Sequence, residues 1–230
     1  MKKYFTKSLF ILSVILTSCC APKINSGEYR GYETPEYKVL NKSENIEVRN
    51  YDKYLVAEVE VEGSRKESVK KGFWILAKYI FGGNIAKENI AMTSPVNQSN
   101  FEKSEAKNYE KIAMTSPVSQ IPNQSLDQNL EKSQKWLVQF KMPKKYSLES
   151  LPQPLNKSIK FKEIKPKKAL AITFSGFWSD EKFLENNEKI SQFAAKNSLK
   201  LIGQPIISYY DDPLTLPWNR RNEIIWQIIP

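Results

Sequence analysis

Few side chains in this 230-residue sequence have the types and spacing that enzyme catalysis needs. The sequence contains no histidine, and its two cysteines, Cys19 and Cys20, are adjacent. Without histidine the chain lacks Ser-His-Asp and Cys-His nucleophilic machinery, the usual proton shuttle and the commonest metal ligand. Glu58, Glu60 and Glu62 alternate along one predicted strand, which is typical of a solvated sheet face. We therefore expect a non-enzymatic protein, with an acid–base enzyme that uses Glu, Tyr and Lys as the open alternative.

The most distinctive pattern is the heptapeptide Ile-Ala-Met-Thr-Ser-Pro-Val at residues 90–96, which recurs unchanged at residues 112–118. Solenoid repeats are longer and more numerous, so this pair does not indicate a solenoid. Within each copy Ile, Met, Ser and Val alternate with Ala, Thr and Pro, and strand geometry sends the two sets to opposite faces. The pattern predicts two strands of one sheet, with Met92 and Met114 pointing the same way, into a core or a pocket.

The pattern of apolar residues in the first half of the folded region predicts strands and one amphipathic helix. Alternating apolar residues predict strands at residues 46–51, 55–61 and 136–142, in addition to the two heptapeptides. Ser64 and Glu67 have the spacing of a capping box at a helix start, and Gly82-Gly83 provides a helix end. Between them lies one apolar stripe at helical spacing, formed by Val69, Phe73, Leu76 and Ile80.

The second half repeats this order. A helix is predicted to begin after Ser179, and strands are predicted at residues 159–164, 169–177, 206–210 and 224–229. Each half is thus roughly strand, strand, helix, strand, strand. Two such halves predict an α+β fold, in which a distorted antiparallel β-barrel built from two similar ββαββ halves carries two helices packed outside.

The segment before the folded region is predicted to be a targeting signal and a linker. Basic residues, a short apolar run and small residues make residues 1–18 typical of a secretory signal peptide, and the run is too short to span a bilayer. The signal ends in Leu-Thr-Ser-Cys, which resembles the lipobox of bacterial lipoproteins. That resemblance implies cleavage before Cys19, a lipid on its sulfur and, with Cys20 following, the outer rather than the inner membrane of the bacterial cell envelope. We expect residues 19–43 to form the lipidated amino terminus and tether, and residues 44–230 to form the folded domain.

The formal net charge of +10 bears on the choice of partner. A basic balance favours nucleic acid, an anionic membrane surface or an acidic small ligand. The sequence has no clustered Lys/Arg run with interleaved aromatic residues, and an exported protein rarely meets nucleic acid. We therefore expect no nucleic-acid partner, and most of the charge is explained by a solvated lysine-rich surface.

Several motifs together resemble the SOUL heme-binding protein family over about residues 44–229. They are the duplicated heptapeptide, Ala77-Lys78-Tyr79 before the glycine pair, Phe174-Ser175-Gly176-Phe177, Tyr210-Asp211-Asp212-Pro213 and Arg220-Arg221-Asn222-Glu223. The resemblance implies a fold related to bacterial effector-binding domains. It also implies binding of heme or another tetrapyrrole in a shallow apolar cleft beside the first helix.

By position, the resemblance assigns the cleft to Lys70, Phe73, Leu76, Ala77 and Lys78. It implies that Phe73, Leu76 and Ala77 cover the tetrapyrrole, a flat apolar plate, while the two lysines meet its propionates. Phe73 and Leu76 also lie on the stripe that should pack the helix onto the sheet, so a core role is the alternative. In the absence of histidine, Met92 and Met114 join Tyr and Lys as candidate iron ligands, with gap filling in the core as their alternative role.

The terminal motif Arg220-Arg221-Asn222-Glu223 has two interpretations. It is either an anion-binding corner at the cleft mouth, or a network in which Arg pairs with Glu and Asn222 bonds backbone to fix the last strand. We favour the network, because the motif leads directly into Ile224, Trp226 and Ile228.

The leading hypothesis is non-enzymatic binding of heme or another tetrapyrrole by a membrane-anchored envelope lipoprotein. The missing histidine motivates one alternative, a structural or interaction lipoprotein that keeps the SOUL fold without the ligand. A further alternative is an enzyme that acts on a porphyrin-like anion.

Overall fold

The computed structural model describes residues 27–87, 89–100, 134–212 and 214–229. The predicted signal peptide, Cys19 and the second heptapeptide with Met114 lie outside these residues. Within the described ranges, no helix is both long enough and apolar enough to cross a membrane. The fold is α+β, and its main feature is one large antiparallel sheet.

The described elements comprise two α-helices, one short 3-10 helix and eleven strands. The helices are α1 (Arg65–Ile80) and α2 (Asp180–Lys196), with the 3-10 helix at Pro217–Asn219. The strands are β1 (Glu28–Tyr29), β2 (Tyr32–Glu33), β3 (Tyr37–Ser43), β4 (Ile46–Tyr51), β5 (Tyr54–Gly63), β6 (Val96–Asn100), β7 (Gln134–Lys141), β8 (Lys160–Ile164), β9 (Lys167–Phe174), β10 (Lys200–Tyr209) and β11 (Asn222–Ile229).

The main sheet is open, so the predicted closed barrel is wrong. Its nine strands lie in the order β3-β4-β9-β11-β10-β6-β7-β5-β8, and every neighbouring pair is antiparallel. Among the described residues the two end strands, β3 and β8, do not pair with each other. Both carry lysines, Lys38 and Lys42 on β3 and Lys160 and Lys162 on β8. Charged edge strands resist pairing with a further strand, which gives a physical reason for the open sheet.

The two predicted halves are present, but they exchange their first strands. Strand β4 runs directly into β5 through residues 52–53, yet β4 pairs with β9 of the second half. Conversely, β8 precedes β9 but pairs with β5 of the first half. The pairing of β10 with β6 joins the halves at the centre. Each half therefore completes the sheet of the other.

Residues 28–43, which the sequence analysis assigned to the tether, pack on the domain. Strands β1 and β2 form a small hairpin, and β3 is an edge of the main sheet through its pairing with β4. Tyr29 and Tyr37 are buried, and the Tyr29 ring meets the Tyr210 ring edge-on with centroids 5.3 Å apart. The domain described by the structure thus begins before residue 44.

The first heptapeptide is not a regular strand, which corrects the sequence prediction. Thr93 makes one isolated bridge with Glu33, and strand β6 begins only at Val96. Proline lacks the backbone N–H that a strand ladder needs, so regular pairing starts after Pro95. Strand β6 instead runs through a polar segment, because its side chains find partners inside the protein. Gln98 Nε2 donates to a backbone carbonyl oxygen of α1 at 2.9 Å.

Helix α1 begins and ends where the sequence predicts. The Ser64 side chain accepts a hydrogen bond from the Glu67 backbone N–H, and the Glu67 carboxylate accepts one from the Ser64 N–H. These reciprocal bonds satisfy two backbone donors that a helix start leaves free. The helix ends at Ile80, and Gly82 follows with a φ of 93°, a conformation that glycine adopts at little cost.

A glycine lets α1 approach the sheet closely. A Cβ atom added at Gly72 would lie 2.5 Å from the Cβ of Val138 on β7, far inside normal contact distance. Gly72 and Val138 are both buried. The absence of a side chain at residue 72 therefore sets how tightly α1 packs on β7.

The helices cover one sheet face, and the opposite face has a smaller apolar cluster of its own. Strand β9 is buried on both faces, because its residues alternate between the two clusters. Leu170 and Ile172 belong to the main core beneath the helices, whereas Ala169 and Ala171 belong to the opposite cluster.

Candidate functional site

The solvent-facing side of α1 carries a row of cationic and aromatic side chains. Lys70, Trp74 and Lys78 are four residues apart and therefore lie one above another along the helix. Phe81 follows the last helical residue and continues the row. Trp74 and Phe81 are each 64% exposed, which is high for large aromatic side chains. We call Lys70, Trp74, Lys78 and Phe81 the α1 surface.

Two exposed apolar side chains, Ile85 and Leu155, lie close to the carboxyl end of α1. They come from different segments of the chain, which backbone hydrogen bonds hold side by side. The Ile85 N–H donates to the Gln153 carbonyl oxygen at 2.9 Å, and the Leu155 N–H donates to the Gly83 carbonyl oxygen at 3.1 Å. Both side chains are about two-thirds exposed, at 68% and 66%. Exposed apolar groups concentrated in one region, with lysines nearby, are typical of a surface that binds a ligand or a partner.

The structure divides the predicted cleft residues into two groups. Lys70 and Lys78 are exposed and belong to the α1 surface. Leu76 and Ala77 are 0% and 1% exposed, because they lie on the side of α1 that packs on the sheet. Neither can contact a ligand unless the core opens. Phe73 lies between the groups, half-buried against the core.

The Phe73 ring links the core to the α1 surface. It meets the Trp74 ring edge-on, with centroids 5.6 Å apart and an interplanar angle of 84°. It also meets Phe140 of β7 at 5.5 Å and 61°. Edge-to-face contacts of this kind fix the relative orientation of rings, so Phe73 supports the exposed indole from below.

The two predicted methionines are not brought together in the described part of the chain. Met92 is half-buried and packs against the main core, as a methionine does when it fills an irregular gap. Met114 lies outside the described residues. The same residues contain no group of three or more His, Cys, Asp or Glu that could hold a metal ion.

Trp74 and Phe81 were not among the predicted site residues. Both lie off the apolar stripe that packs α1 onto the sheet, and that stripe is the stronger signal in the sequence. A usable signal was present, because Trp74 stands midway between Lys70 and Lys78 at four-residue steps on the face opposite the stripe. An aromatic residue on an otherwise solvated helix face is the feature to look for.

A buried ion network centred on Glu223 lies on the sheet face opposite the helices. The Arg49 guanidinium donates to both carboxylate oxygens of Glu223, at 2.8 and 2.9 Å, and Arg221 Nη2 donates at 2.5 Å. The hydroxyls of Tyr210 and Thr173 also donate to this carboxylate, at 2.8 and 3.0 Å. The Glu223 side chain is fully buried, so these partners replace water.

The partners of Glu223 keep it charged. Burial alone would raise the pKa of Glu223, but the guanidiniums of Arg49 and Arg221 outweigh burial and hold that pKa well below its ordinary value. The favoured interpretation of the terminal motif is confirmed, because Arg221 pairs with Glu223 and Asn222 Nδ2 donates to the Gly176 carbonyl oxygen at 3.3 Å. The network is a structural device that ties β4 to β11 across β9.

An open antiparallel sheet with helices on one face defines an α+β domain, and solved structures share this fold. The C-terminal domain of EcmrR has a TM-score of 0.54 and 11% identity, and the match covers 84% of this chain and 98% of that one. A hydrolase from Listeria innocua gives 0.51 and 10%, with 83% and 94% covered. EcmrR in a complex with DNA gives 0.53 and 11%, with 80% and 56% covered. At these identities the likeness shows the fold alone.

Sequence comparison shows the family. Comparison with curated proteins gives no significant match. The sequence model described as SOUL heme-binding protein matches residues 32–227. The chain therefore belongs to the SOUL heme-binding protein family, and the resemblance inferred from its motifs is confirmed.

Proposed function

We propose that this protein binds heme or a related tetrapyrrole on the α1 surface, without catalysing a reaction. The observation that carries the proposal is the exposure of Trp74 and Phe81 beside Lys70 and Lys78 on one helix face. Family membership supports the choice of a tetrapyrrole as the ligand. The predicted cleft is thereby moved from the buried side of α1 to its solvent side.

The spacing of these side chains suits a flat dianion. Phe81 is seven positions after Trp74, which corresponds to about 10 Å along a helix at 1.5 Å per residue. The two rings thus offer an apolar strip on which a porphyrin plate can lie. Lys70 and Lys78 stand one turn before and one turn after Trp74, and their flexible stems let both ammonium groups reach toward carboxylates.

Iron ligation plays a small part in this proposal. The sequence has no histidine, and Met92 is half-buried against the core. Binding would rest on apolar contact and on charge, with weak or no axial ligation. The iron-free porphyrin is therefore expected to bind about as tightly as hemin.

Hemin titration of the full-length protein tests the proposal. We expect a Soret shift that saturates at one equivalent and weakens about tenfold or more in Trp74→Ala, because one large apolar contact of roughly 1.5–3 kcal/mol is lost. Trp218→Ala is the matched control, since Trp218 is similarly exposed at 68% but lies outside the α1 surface. It should bind hemin like the unmodified protein.

A double substitution tests how much the charges of the two lysines contribute to hemin binding. Lys70→Glu combined with Lys78→Glu should weaken hemin binding, while binding of the uncharged porphyrin dimethyl ester should change little. A featureless titration that matches an unrelated basic protein would contradict the proposal. Equal losses in Trp74→Ala and Trp218→Ala would move the site away from α1.

A second candidate function is a structural or interaction lipoprotein that keeps the fold without the ligand. The burial of Leu76 and Ala77 favours it, because the core beneath α1 is complete without a guest molecule. Recovery of a coloured or fluorescent tetrapyrrole with the native protein would exclude this candidate.

We also propose that the chain is anchored to the bacterial cell envelope through a lipid on Cys19. The support is the sequence of residues 1–19, with its signal-like apolar run and lipobox-like end. Several acyl chains on one cysteine hold a protein firmly at a membrane, whereas a single chain does not.

A further inference from the structure

A cleft lies at the junction of the two halves, on the sheet face opposite α1. Both crossing connections border it, since Tyr51 and Tyr54 flank the β4–β5 link and Lys167 begins β9 after the β8–β9 link. Its volume is about 300 Å³, including the space open to solvent. The lining residues are Pro35, Tyr51, Tyr54, Pro95, Asn97, Lys167, Ile206, Tyr210 and Ile225.

The charge of this lining is entirely positive. Lys167 is its one ionisable group that is charged at neutral pH, and no carboxylate lines the cleft. Within the described residues the Lys167 ammonium makes no hydrogen bond or ion pair. The contrast is Lys141, another lysine withdrawn from solvent, whose Nζ lies 2.6 Å from a Glu33 carboxylate oxygen. A half-buried ammonium without a counter-charge is costly, and burial, together with the charge of Lys162, lowers the pKa of Lys167.

Two tyrosines line the cleft together with Lys167, and a tyrosine hydroxyl can donate a hydrogen bond to an anion. Across the described residues, no partner is present for the Tyr54 hydroxyl, which borders the cleft. The Tyr51 hydroxyl accepts a hydrogen bond from Arg49 Nη1 at 2.9 Å, which leaves its own proton available. Glu223, buried behind this wall, is already bound by Arg49 and Arg221 and so does not neutralise Lys167.

We propose that this junction cleft binds a small oxyanion, a carboxylate or phosphate group, with Lys167 as the counter-charge and the hydroxyls of Tyr51 and Tyr54 as donors. Junctions between structural units are common places for small-molecule sites. The cleft is shallow and partly open to solvent, so it has room for the charged group of a small anion and none for a tetrapyrrole. The site is separate from the α1 surface, which lies on the other side of the sheet.

Calorimetric titration of the full-length protein with sodium acetate and with inorganic phosphate tests the proposal. Ionic strength is held constant with chloride, so that general salt effects cancel. We expect saturable binding of at least one probe, and the two arms show whether carboxylate or phosphate is preferred. Lys167→Met should weaken that binding about tenfold or more, because a charge-assisted hydrogen bond is lost.

Lys168→Met is the matched control, because Lys168 is exposed and points to the opposite side of β9. Its affinity should equal that of the unmodified protein, and Tyr54→Phe should weaken binding several-fold while keeping the ring. The proposal is overturned if neither probe saturates, or if Lys167→Met and Lys168→Met bind alike. The hemin result does not affect this outcome, since Trp74 and Lys167 lie on different faces.

Discussion

Glu223 is a buried carboxylate that must stay charged for its two arginine partners to stay paired. No sequence pattern reveals this, because Arg49 and Glu223 are 174 positions apart in the chain. The terminal motif did suggest that Arg221 pairs with Glu223, since those residues are two apart on one strand. Residue-scale prediction worked for local partners and failed for a distant one.

The Glu223→Gln variant should be strongly destabilised at neutral pH. Two buried guanidiniums would lose their shared counter-charge, and breaking a buried ion pair costs about 3–5 kcal/mol. The depressed pKa of Glu223 means that its contribution is complete above its ordinary pKa of 4.5 and is lost as pH falls from there toward the folded-state value. The stability difference between the two proteins should therefore shrink below about pH 4.5. Urea unfolding from pH 7 to pH 3 measures it.

Glu163→Gln is the control for this experiment. Glu163 makes a surface pair with Lys53 at 3.8 Å, and its side chain is 45% exposed. Such pairs contribute at most about 1 kcal/mol, so the control should unfold like the unmodified protein. A Glu223→Gln deficit that stays constant down to pH 3 would contradict the account.

At the scale of elements, α1 was predictable because its signals are local. Ser64 and Glu67 mark its start, Gly82 follows its end, and four-residue spacing marks its buried stripe. Strand β6 was not predictable in the same way. Its polar residues look like a linker until Gln98 is seen to bond a carbonyl of α1, a contact that only the folded chain creates.

The contact between α1 and β7 at Gly72 gives an element-scale prediction. Gly72→Ala should destabilise the protein by about 1–3 kcal/mol, because the new methyl group would overlap Val138. Gly72→Ala should cost less stability in a Val138→Ala protein than in the unmodified protein, because the shorter side chain at residue 138 leaves room for the new methyl group. A double-mutant cycle of urea unfolding measures this coupling. Strictly additive effects of the two substitutions would show that they do not meet.

At the scale of the whole molecule, composition and element order gave the α+β class and the two halves. They did not give the open sheet or the exchange of β4 and β8, because both depend on which edges meet after folding. The lysines on β3 and β8 are a sequence signal for free edges, but only once those strands are known to be last in the sheet.

The proposed membrane anchor also concerns the whole chain, and Cys19 is the residue at which it is tested. Intact-mass analysis of the protein from its native membrane should show a chain that begins at Cys19 and carries acyl groups. Cys19→Ser should release the protein from the membrane fraction, whereas Cys20→Ser should leave it attached. A native mass equal to that of the uncut sequence would contradict the proposed anchor.

The exchange of strands has a consequence for any break in the backbone between β7 and β8. Such a cut would produce two polypeptides, but each would still hold a strand inside the sheet of the other. The two polypeptides are expected to stay associated. Either one expressed alone would lack a neighbouring strand in its part of the sheet. The two halves of the described sheet therefore depend on each other for complete strand pairing.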